Sequence, residues 1–359
     1  MNAPRAGAWR RWPLLVLPLL ALALTACDFN APQSTLDWPT IFGGTYSGHV
    51  AEEQANLFWF TMLLAAIVFV LVEGLLLYTI IRYRRRPGQP LPHPTHGHTV
   101  FEVGWTIAPT LVLVVLSVPA IKMLFELDEP PPASANEPAA LNVEVFGHQW
   151  WWEFRYPVQD GVPQEVATAD ELHIPTERPV RVTLQSADVQ HSFWVPKLAG
   201  KTDLIPPRIN HMWFNAREPG RYSGQCAELC GVEHAQMRFY VIAQSPDDFN
   251  NWIQSQIPPA NTPAAGSAAE RGANLIIGGG CIACHTIQGT AAQGQIGPNL
   301  THVASREEIA GGILRFTPEN LSRWLHDPQA VKPGNHMILP RPLTDDEISD
   351  LIAYLQTLR

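Results

Sequence analysis

The sequence predicts a multi-domain protein: a transmembrane two-helix hairpin, then an all-β sandwich, then an all-α domain. Two long apolar runs in the first third of the chain indicate the hairpin. Short runs rich in Val, Ile, Phe and Trp over residues 141–243 indicate the β-domain, and helical patterns follow residue 268. A chain of 359 residues is too long for one ordinary domain. Its formal net charge of −9 argues against a nucleic-acid partner.

The N-terminus has the features of a processing signal. Three arginines precede an apolar stretch at residues 14–24, which is too short to span a bilayer comfortably. The stretch ends Leu24-Thr25-Ala26-Cys27, which resembles the lipobox of bacterial lipoproteins. That resemblance implies a lipoprotein-type signal peptide over residues 1–26 and lipidation of Cys27. The alternative is an uncleaved anchor with an incidental cysteine.

The transmembrane hairpin is expected within residues 45–127, with helices at about 57–83 and about 103–124. Each approaches the roughly 20 apolar residues that cross a bilayer core. Between them lies Arg82-Tyr83-Arg84-Arg85-Arg86, and such a positive cluster stays on the cytoplasmic side. Both flanks and everything after residue 125 therefore face outward. With the resemblance to bacterial lipoproteins, this implies the periplasmic face of a bacterial inner membrane.

The β-domain is expected over residues 141–257, as an antiparallel sandwich or barrel closed by a helix at about 246–256. Residues 258–267 are rich in Pro and Ala and indicate a linker. The helical domain covers residues 268–359. Its predicted helices lie at about 268–277, 318–326 and 344–358, and the last begins with the capping box Thr-Asp-Asp-Glu.

The chemistry of the β-domain centres on a cysteine loop. Cys226 and Cys230 lie four residues apart, His234 and Met237 follow, and His191 lies 35 residues upstream. Thiolate, imidazole and thioether together are the ligands of electron-transfer copper, and two cysteines on one loop can bridge two copper ions. Each copper then takes one imidazole and one weak axial ligand. Met237 and the backbone carbonyl between the cysteines, at Glu228, are the predicted axial ligands.

Two plainer interpretations of the loop remain. The cysteines of an exported protein can form a disulfide, here Cys226–Cys230, with His and Met nearby by chance. A zinc site is the other alternative, although zinc seldom recruits methionine.

A family resemblance supports the copper interpretation. Residues 45–245 resemble subunit II of cytochrome c oxidases through the hairpin, the run Gly147-His-Gln-Trp-Trp-Trp-Glu153, the segment Asp188–Pro196 and the cysteine loop. The resemblance implies a cupredoxin fold that holds the mixed-valence binuclear centre called CuA.

The resemblance also implies roles for individual residues. Trp150 corresponds to the tryptophan through which electrons enter. Three consecutive tryptophans more often serve core and interface packing, which is the alternative for Trp150 and the role expected of Trp152. Glu228 corresponds to a glutamate that also binds magnesium at the interface with subunit I; its alternative is an exposed loop carboxylate.

Two carboxylates fall in the predicted membrane helices. Glu102 begins the second helix and either complements the helix dipole or, by resemblance, marks the entrance of a proton pathway into subunit I. Glu73 lies inside the first helix, where a carboxylate is costly in lipid, so it is expected to face another subunit or a polar groove.

The C-terminal domain carries a haem-attachment motif, Cys281-Ile-Ala-Cys284-His285. Two thioethers fix the porphyrin, and the adjacent histidine is placed to ligate iron. Met337 is the predicted distal ligand, with His336 as its rival. Residues 268–359 resemble a class I cytochrome c throughout, which implies covalent haem c.

Taken together, the resemblances imply subunit II of a proton-pumping cytochrome c oxidase. The expected partners are subunits I and III, membrane lipid, and cytochrome c or another periplasmic donor. A nitric oxide reductase subunit is a rival, since the partner chain decides the substrate. A copper carrier is disfavoured by the haem domain, and a quinol oxidase subunit by the copper ligands.

Charge adds one expectation about docking. Residues 125–260 contain 9 basic and 18 acidic residues. We expect this acidic surface to steer a basic donor or to dock the haem domain.

Overall fold

The computed structural model describes residues 47–90, 93–133, 138–159 and 161–359. The predicted signal peptide, residues 1–26, and the predicted lipidation site, Cys27, lie outside the described residues.

Two long helices form the hairpin: α1 (His49–Arg82) and α2 (Thr99–Glu126). Both are long and apolar enough to cross a membrane. Pro109 and Pro119 lie inside α2, and Thr106 and Thr110 each donate a side-chain hydrogen bond to the carbonyl four residues earlier. Such bonds satisfy backbone carbonyls where no water is available.

The first two turns of α1 precede the predicted membrane segment and pack against the β-domain. Val50, Ala51 and Ala55 are buried there, and the Ala51 amide donates to the carbonyl of Leu198 (3.2 Å). The apolar run alone predicted a start at about residue 57, because the first two turns of the helix contain polar side chains that face other parts of the protein and solvent.

Within the described residues the β-domain has ten strands. They are β1 (Leu141–His148), β2 (Trp151–Tyr156), β3 (Val166–Ala169), β4 (Glu171–Pro175), β5 (Val180–Ser186), β6 (His191–Trp194), β7 (Thr202–Leu204), β8 (Asn210–Phe214), β9 (Gly220–Cys226) and β10 (Arg238–Gln244). One sheet has the order β3-β2-β1-β5-β8 and the other β4-β10-β9-β6-β7. The helix α3 (Pro246–Ser255) follows, with Ser245 as its N-cap.

The expectation of a purely antiparallel arrangement is wrong. β1 pairs with β5 in parallel, and β10 pairs with β4 in parallel. The chain crosses from β4 in the second sheet to β5 in the first, so β5 arrives beside β1 by a crossover, which permits parallel pairing. Alternating apolar residues predict which face of a strand is buried but not which neighbour it pairs with.

Aromatic side chains fill the space between the two sheets. Trp152 and Phe154 from β2 meet Phe193 from β6 and Phe239 from β10, and all four are fully buried. The strand patterns that produce this core alternate strictly, as in β2 and β10.

The C-terminal domain is mainly helical. Its helices are α4 (Ala268–Gly278), α5 (Pro318–His326), α6 (Pro328–Val331) and α7 (Asp345–Leu355). Thr344 caps α7, and the predicted capping box with Glu347 is present. α4 crosses α7 at Gly272, where an added Cβ would lie 2.1 Å from the carbonyl oxygen of Asp350.

A short hairpin in this domain was not predicted. It consists of β11 (Glu308–Ile309) and β12 (Leu314–Arg315). Strands of two residues are too short to show alternation. The turn between them contains Ala310, Gly311 and Gly312, all with positive φ.

Candidate metal and haem sites

The copper-ligand candidates come together at one end of the second sheet. β6 begins at His191 and pairs with β9, so that Phe193 lies opposite Cys226. The chain then turns through Cys230 and a single 3₁₀ turn, His234–Gln236, before β10 begins. Two neighbouring strands therefore bring residues 35 apart in sequence to one place.

The donor atoms form a compact cluster. The two cysteine Sγ atoms lie 3.7 Å apart, too far for a disulfide bond. His191 Nδ1 lies 3.9 Å from Cys226 Sγ, and His234 Nδ1 lies 3.6 Å from Cys230 Sγ. Met237 Sδ is 3.7 Å from Cys230 Sγ and fully buried. One imidazole thus accompanies each sulfur, and the donor set fits copper better than zinc.

Glu228 contributes through its backbone. Its carbonyl oxygen lies 3.1 Å from Cys226 Sγ, whereas the Met237 thioether lies beside the other sulfur, Cys230 Sγ. The Glu228 residue is half-buried.

The two thiols behave as a coupled pair. Hydrogen bonding from Cys230 lowers the pKa of the Cys226 thiol, and the same contact raises the pKa of Cys230. A metal that binds both sulfurs as thiolates must displace the protons that the thiols carry.

Asp188 orients the upstream histidine, and sequence reasoning did not single it out. Its carboxylate lies 2.8 Å from His191 Nε2 and also accepts a hydrogen bond from the backbone N–H of Gln149 (2.7 Å). Burial would lower the pKa of His191, but the hydrogen bonds that its ring makes with Asp188 and Cys226 raise it. An acidic residue three positions before a candidate ligand is the signal that could have revealed this partner.

Trp150 touches the cysteine loop directly. Its indole N–H donates to the carbonyl of Cys230 (3.0 Å), and the Gln149 side chain donates to the same oxygen (2.7 Å). Trp150 is buried, with 6% of its surface exposed. Trp152 is fully buried and contacts His191 edge-on at 6.1 Å between ring centroids.

The haem-attachment residues lie around an apolar pocket in the C-terminal domain. Its lining includes Leu275, Ile276, Cys281, His285, Leu300, Leu325, Met337, Leu339, Leu351 and Leu355. Cys284 is not among the lining residues and is half-buried. A pocket of this composition, with a histidine and a methionine on its wall, fits a haem group.

The geometry of His285 suits an iron ligand. Its Nδ1 hydrogen-bonds the carbonyl of Pro298 (2.8 Å), which leaves Nε2 for the pocket. Burial lowers the pKa of His285, which favours the neutral imidazole. An added Cβ at Gly297 would lie 2.6 Å from the ring, so glycine is required for this approach.

The structure separates Met337 from its rival. Met337 lines the pocket, whereas the His336 ring lies 5.4 Å from the Trp150 ring.

The two membrane carboxylates have different surroundings. Glu102 accepts a hydrogen bond from the His98 amide (3.1 Å) at the start of α2, as a dipole-complementing residue does. Glu73 lines a groove between α1 and α2 with apolar side chains including Phe69 and Val112.

Family models match three parts of the chain. The model for "Cytochrome C oxidase subunit II, transmembrane domain" matches residues 42–123, and that for its "periplasmic domain" matches residues 157–244. The model for "Cytochrome c" matches residues 269–359.

Two relatives match nearly the whole chain, and one solved structure matches a third of it. Cytochrome c oxidase subunit 2 of Alkalihalophilus pseudofirmus is 36% identical over 96% of both chains. The protein of that name from Bacillus subtilis is 31% identical over 98% of both. A crystal structure of the periplasmic domain of subunit II of cytochrome oxidase from Bradyrhizobium japonicum is 32% identical, covering 33% of this chain and 94% of that one, with a TM-score of 0.31.

The fold, the donor cluster and the haem pocket define a membrane protein with a periplasmic domain and a role in electron transfer. The chain belongs to the cytochrome c oxidase subunit II family and carries a C-terminal cytochrome c domain. It is a subunit of an oxidase complex, and its family implies copper and haem c as cofactors.

Proposed function

We propose that this chain is the subunit through which electrons enter a proton-pumping cytochrome c oxidase. When bound, haem c and a binuclear CuA centre would supply one-electron carriage from cytochrome c, or another periplasmic donor, to subunit I, where dioxygen is reduced to water. The residues of this chain hold these groups and fix the path between them.

The convergence of donors on the cysteine pair carries the proposal. Cys226, Cys230, His191 and His234 would hold the two copper ions, and Met237 and the Glu228 carbonyl would each supply one further weak ligand. Each histidine lies within 3.9 Å of a different sulfur, which supports one imidazole for each copper. Phe193 and Phe239, on the strands that carry the ligand loop, are fully buried, so the loop is anchored on a packed core.

The haem would be attached through Cys281 and Cys284, with His285 and Met337 as axial ligands. The hydrogen bond from His285 to Pro298 supports this role because it sets the orientation of the ring.

Further roles follow from the family. Trp150 is the proposed point at which electrons enter the copper centre, which its hydrogen bond to Cys230 supports. The Glu228 side chain would bind magnesium at the contact with subunit I, and Glu102 would mark the entrance of a proton pathway. Subunit III and membrane lipid complete the proposed partners, with Cys27 lipidated after removal of residues 1–26.

The proposed domain limits are 45–127 for the hairpin, 141–257 for the copper domain, 258–267 for the linker and 268–359 for the haem domain. The arginine cluster at residues 82–86 supports an orientation with both redox domains on the periplasmic face of the bacterial inner membrane.

The test is to measure copper and haem content in the purified oxidase and in a His234→Ala variant. We expect His234→Ala to lose copper while keeping covalent haem, because the two sites share no ligand. A wild-type protein that contains haem but takes up no copper would contradict the proposal and leave a tethered cytochrome of unknown destination.

A further inference from the structure

The haem domain contacts the copper domain through a defined loop, residues 306–312, which includes the β11–β12 turn. The Glu171 carboxylate accepts hydrogen bonds from the backbone amides of Glu307 (2.7 Å) and Glu308 (2.9 Å). The Asp170 carboxylate accepts one from the Gly311 amide (3.0 Å). The Arg238 amide donates to the Gly311 carbonyl (3.0 Å), so the hydrogen bonds run in both directions.

Gly311 makes this contact possible. It has φ +79, and an added Cβ would lie 2.7 Å from the Trp150 carbonyl oxygen and 2.3 Å from Lys332 Nζ. A side chain at this position would separate the two domains.

Lys332 crosses the same interface from the haem domain. Its ammonium group donates to the carbonyls of Trp150 (2.7 Å), Gln236 (3.0 Å) and Ala310 (3.0 Å). An ammonium group has three donors, and all three are used here. Lys332 is 2% exposed and is the only lysine in residues 268–359.

The positive charge of the buried Lys332 lies near acidic residues of the copper domain. Burial lowers the pKa of Lys332 to about 8, although the negative charges of Asp170 and Glu233 act to raise it. Burial raises the pKa of Asp170 to about 6, although its hydrogen bonds with backbone amides and the positive charges of Lys332 and Arg306 act to lower it. Both groups are therefore mainly charged at neutral pH.

Two of the three carbonyls that Lys332 binds, those of Trp150 and Gln236, belong to the copper domain and lie next to the proposed copper site. Trp150 bonds the Cys230 carbonyl through its indole, and Gln236 precedes Met237. On the haem side, Lys332 lies five residues before Met337, and the His336 ring packs against Trp150.

Resting on the proposed function, we propose that Lys332 is a positioning residue that, with loop 306–312, fixes the haem domain on the copper domain. The haem domain then transfers electrons from one docked position rather than swinging on residues 258–267. The linker contacts agree with this, since the Ala260 amide donates to the Gln288 carbonyl (3.0 Å) of the haem domain.

The test is backbone hydrogen exchange in the intact oxidase, comparing wild type, Lys332→Met and the control Lys201→Met, a change at an exposed lysine of the copper domain. We expect the amides of Glu307, Glu308 and Gly311 to be protected in wild type and in the control. Lys332→Met should increase their exchange about tenfold or more, the factor expected when the hydrogen bonds of one charged donor are lost. Unchanged exchange in Lys332→Met would overturn the proposal.

A second measurement needs no variant. The rate of electron transfer from haem to copper after rapid photoreduction should not depend on solvent viscosity in wild type, because no domain motion precedes it. A rate that falls in proportion to viscosity, or wild-type loop amides that exchange as fast as those of an exposed loop, would refute a fixed haem domain. Hydrogen exchange requires no electron transfer, so it decides on docking even if copper analysis were to refute the proposed function.

Discussion

Replacing Gly147 by alanine tests the position of His191 without replacing a proposed ligand. Gly147 lies buried on β1, and an added Cβ would lie 2.8 Å from Cδ2 and 2.9 Å from Cγ of the His191 ring. Carbon atoms prefer separations of about 3.5–4.0 Å, so the ring would have to retreat by roughly 0.6 Å or more. The ring is held by Asp188 and bordered by Trp152, which limits that retreat.

The expected cost is that of overpacking a core, about 1–3 kcal/mol. If alanine destabilises the copper-bound state by this amount relative to the copper-free state, copper affinity falls by about 5-fold to 150-fold. The assay is a copper titration against a competing chelator, with the copper spectrum recorded at saturation. Gly220→Ala is the matched control, since the nearest atom to its added Cβ is 3.5 Å away on Tyr222. Wild-type affinity and spectrum in Gly147→Ala would refute the assigned position of His191.

Three further changes have defined outcomes. Gly272→Ala should lower the free energy of unfolding of the haem domain by about 1–3 kcal/mol in a denaturant titration, because the added Cβ meets the backbone of α7. The control Gly278→Ala, whose added Cβ has no atom within 4 Å, should be neutral or stabilising. Equal unfolding midpoints for the two variants would contradict the close crossing. The ion pair with Arg341 lowers the pKa of Glu347 to about 2, so the stability it adds is fully present above about pH 4.5 and is lost as pH falls through 2. Glu347→Gln should therefore reduce the acid dependence of haem-domain unfolding in that window, and an unchanged profile would argue against the pair. Trp150→Phe removes a hydrogen bond worth about 1 kcal/mol to the cysteine loop, and should slow electron transfer to copper while leaving copper content intact.

The residues with distinctive chemistry were predictable because each ligand set has a fixed local spacing. Cys226, Cys230, His234 and Met237 lie within one loop, and only His191 had to be brought in by the fold. The strand patterns around them predicted a sandwich because burial on one face imposes alternation. The parallel pairs β1–β5 and β4–β10 were missed because alternation contains no information on direction.

The contacts between the two redox domains could not be derived from the sequence. Asp170 and Glu171 count among the acidic residues of the copper domain, but nothing local distinguishes a docking carboxylate from a solvated one. Lys332 lies five residues before Met337, but nothing in the sequence around it predicts that it is buried. Its burial depends on three carbonyls from separate segments, and such backbone partners leave no pattern in side-chain types.

Electron paramagnetic resonance on the copper-loaded protein tests the central claim most directly. Two coppers bridged by Cys226 and Cys230 should share one unpaired electron and give a seven-line hyperfine pattern, with two copper ions per chain. A four-line pattern from a single copper would contradict the binuclear site.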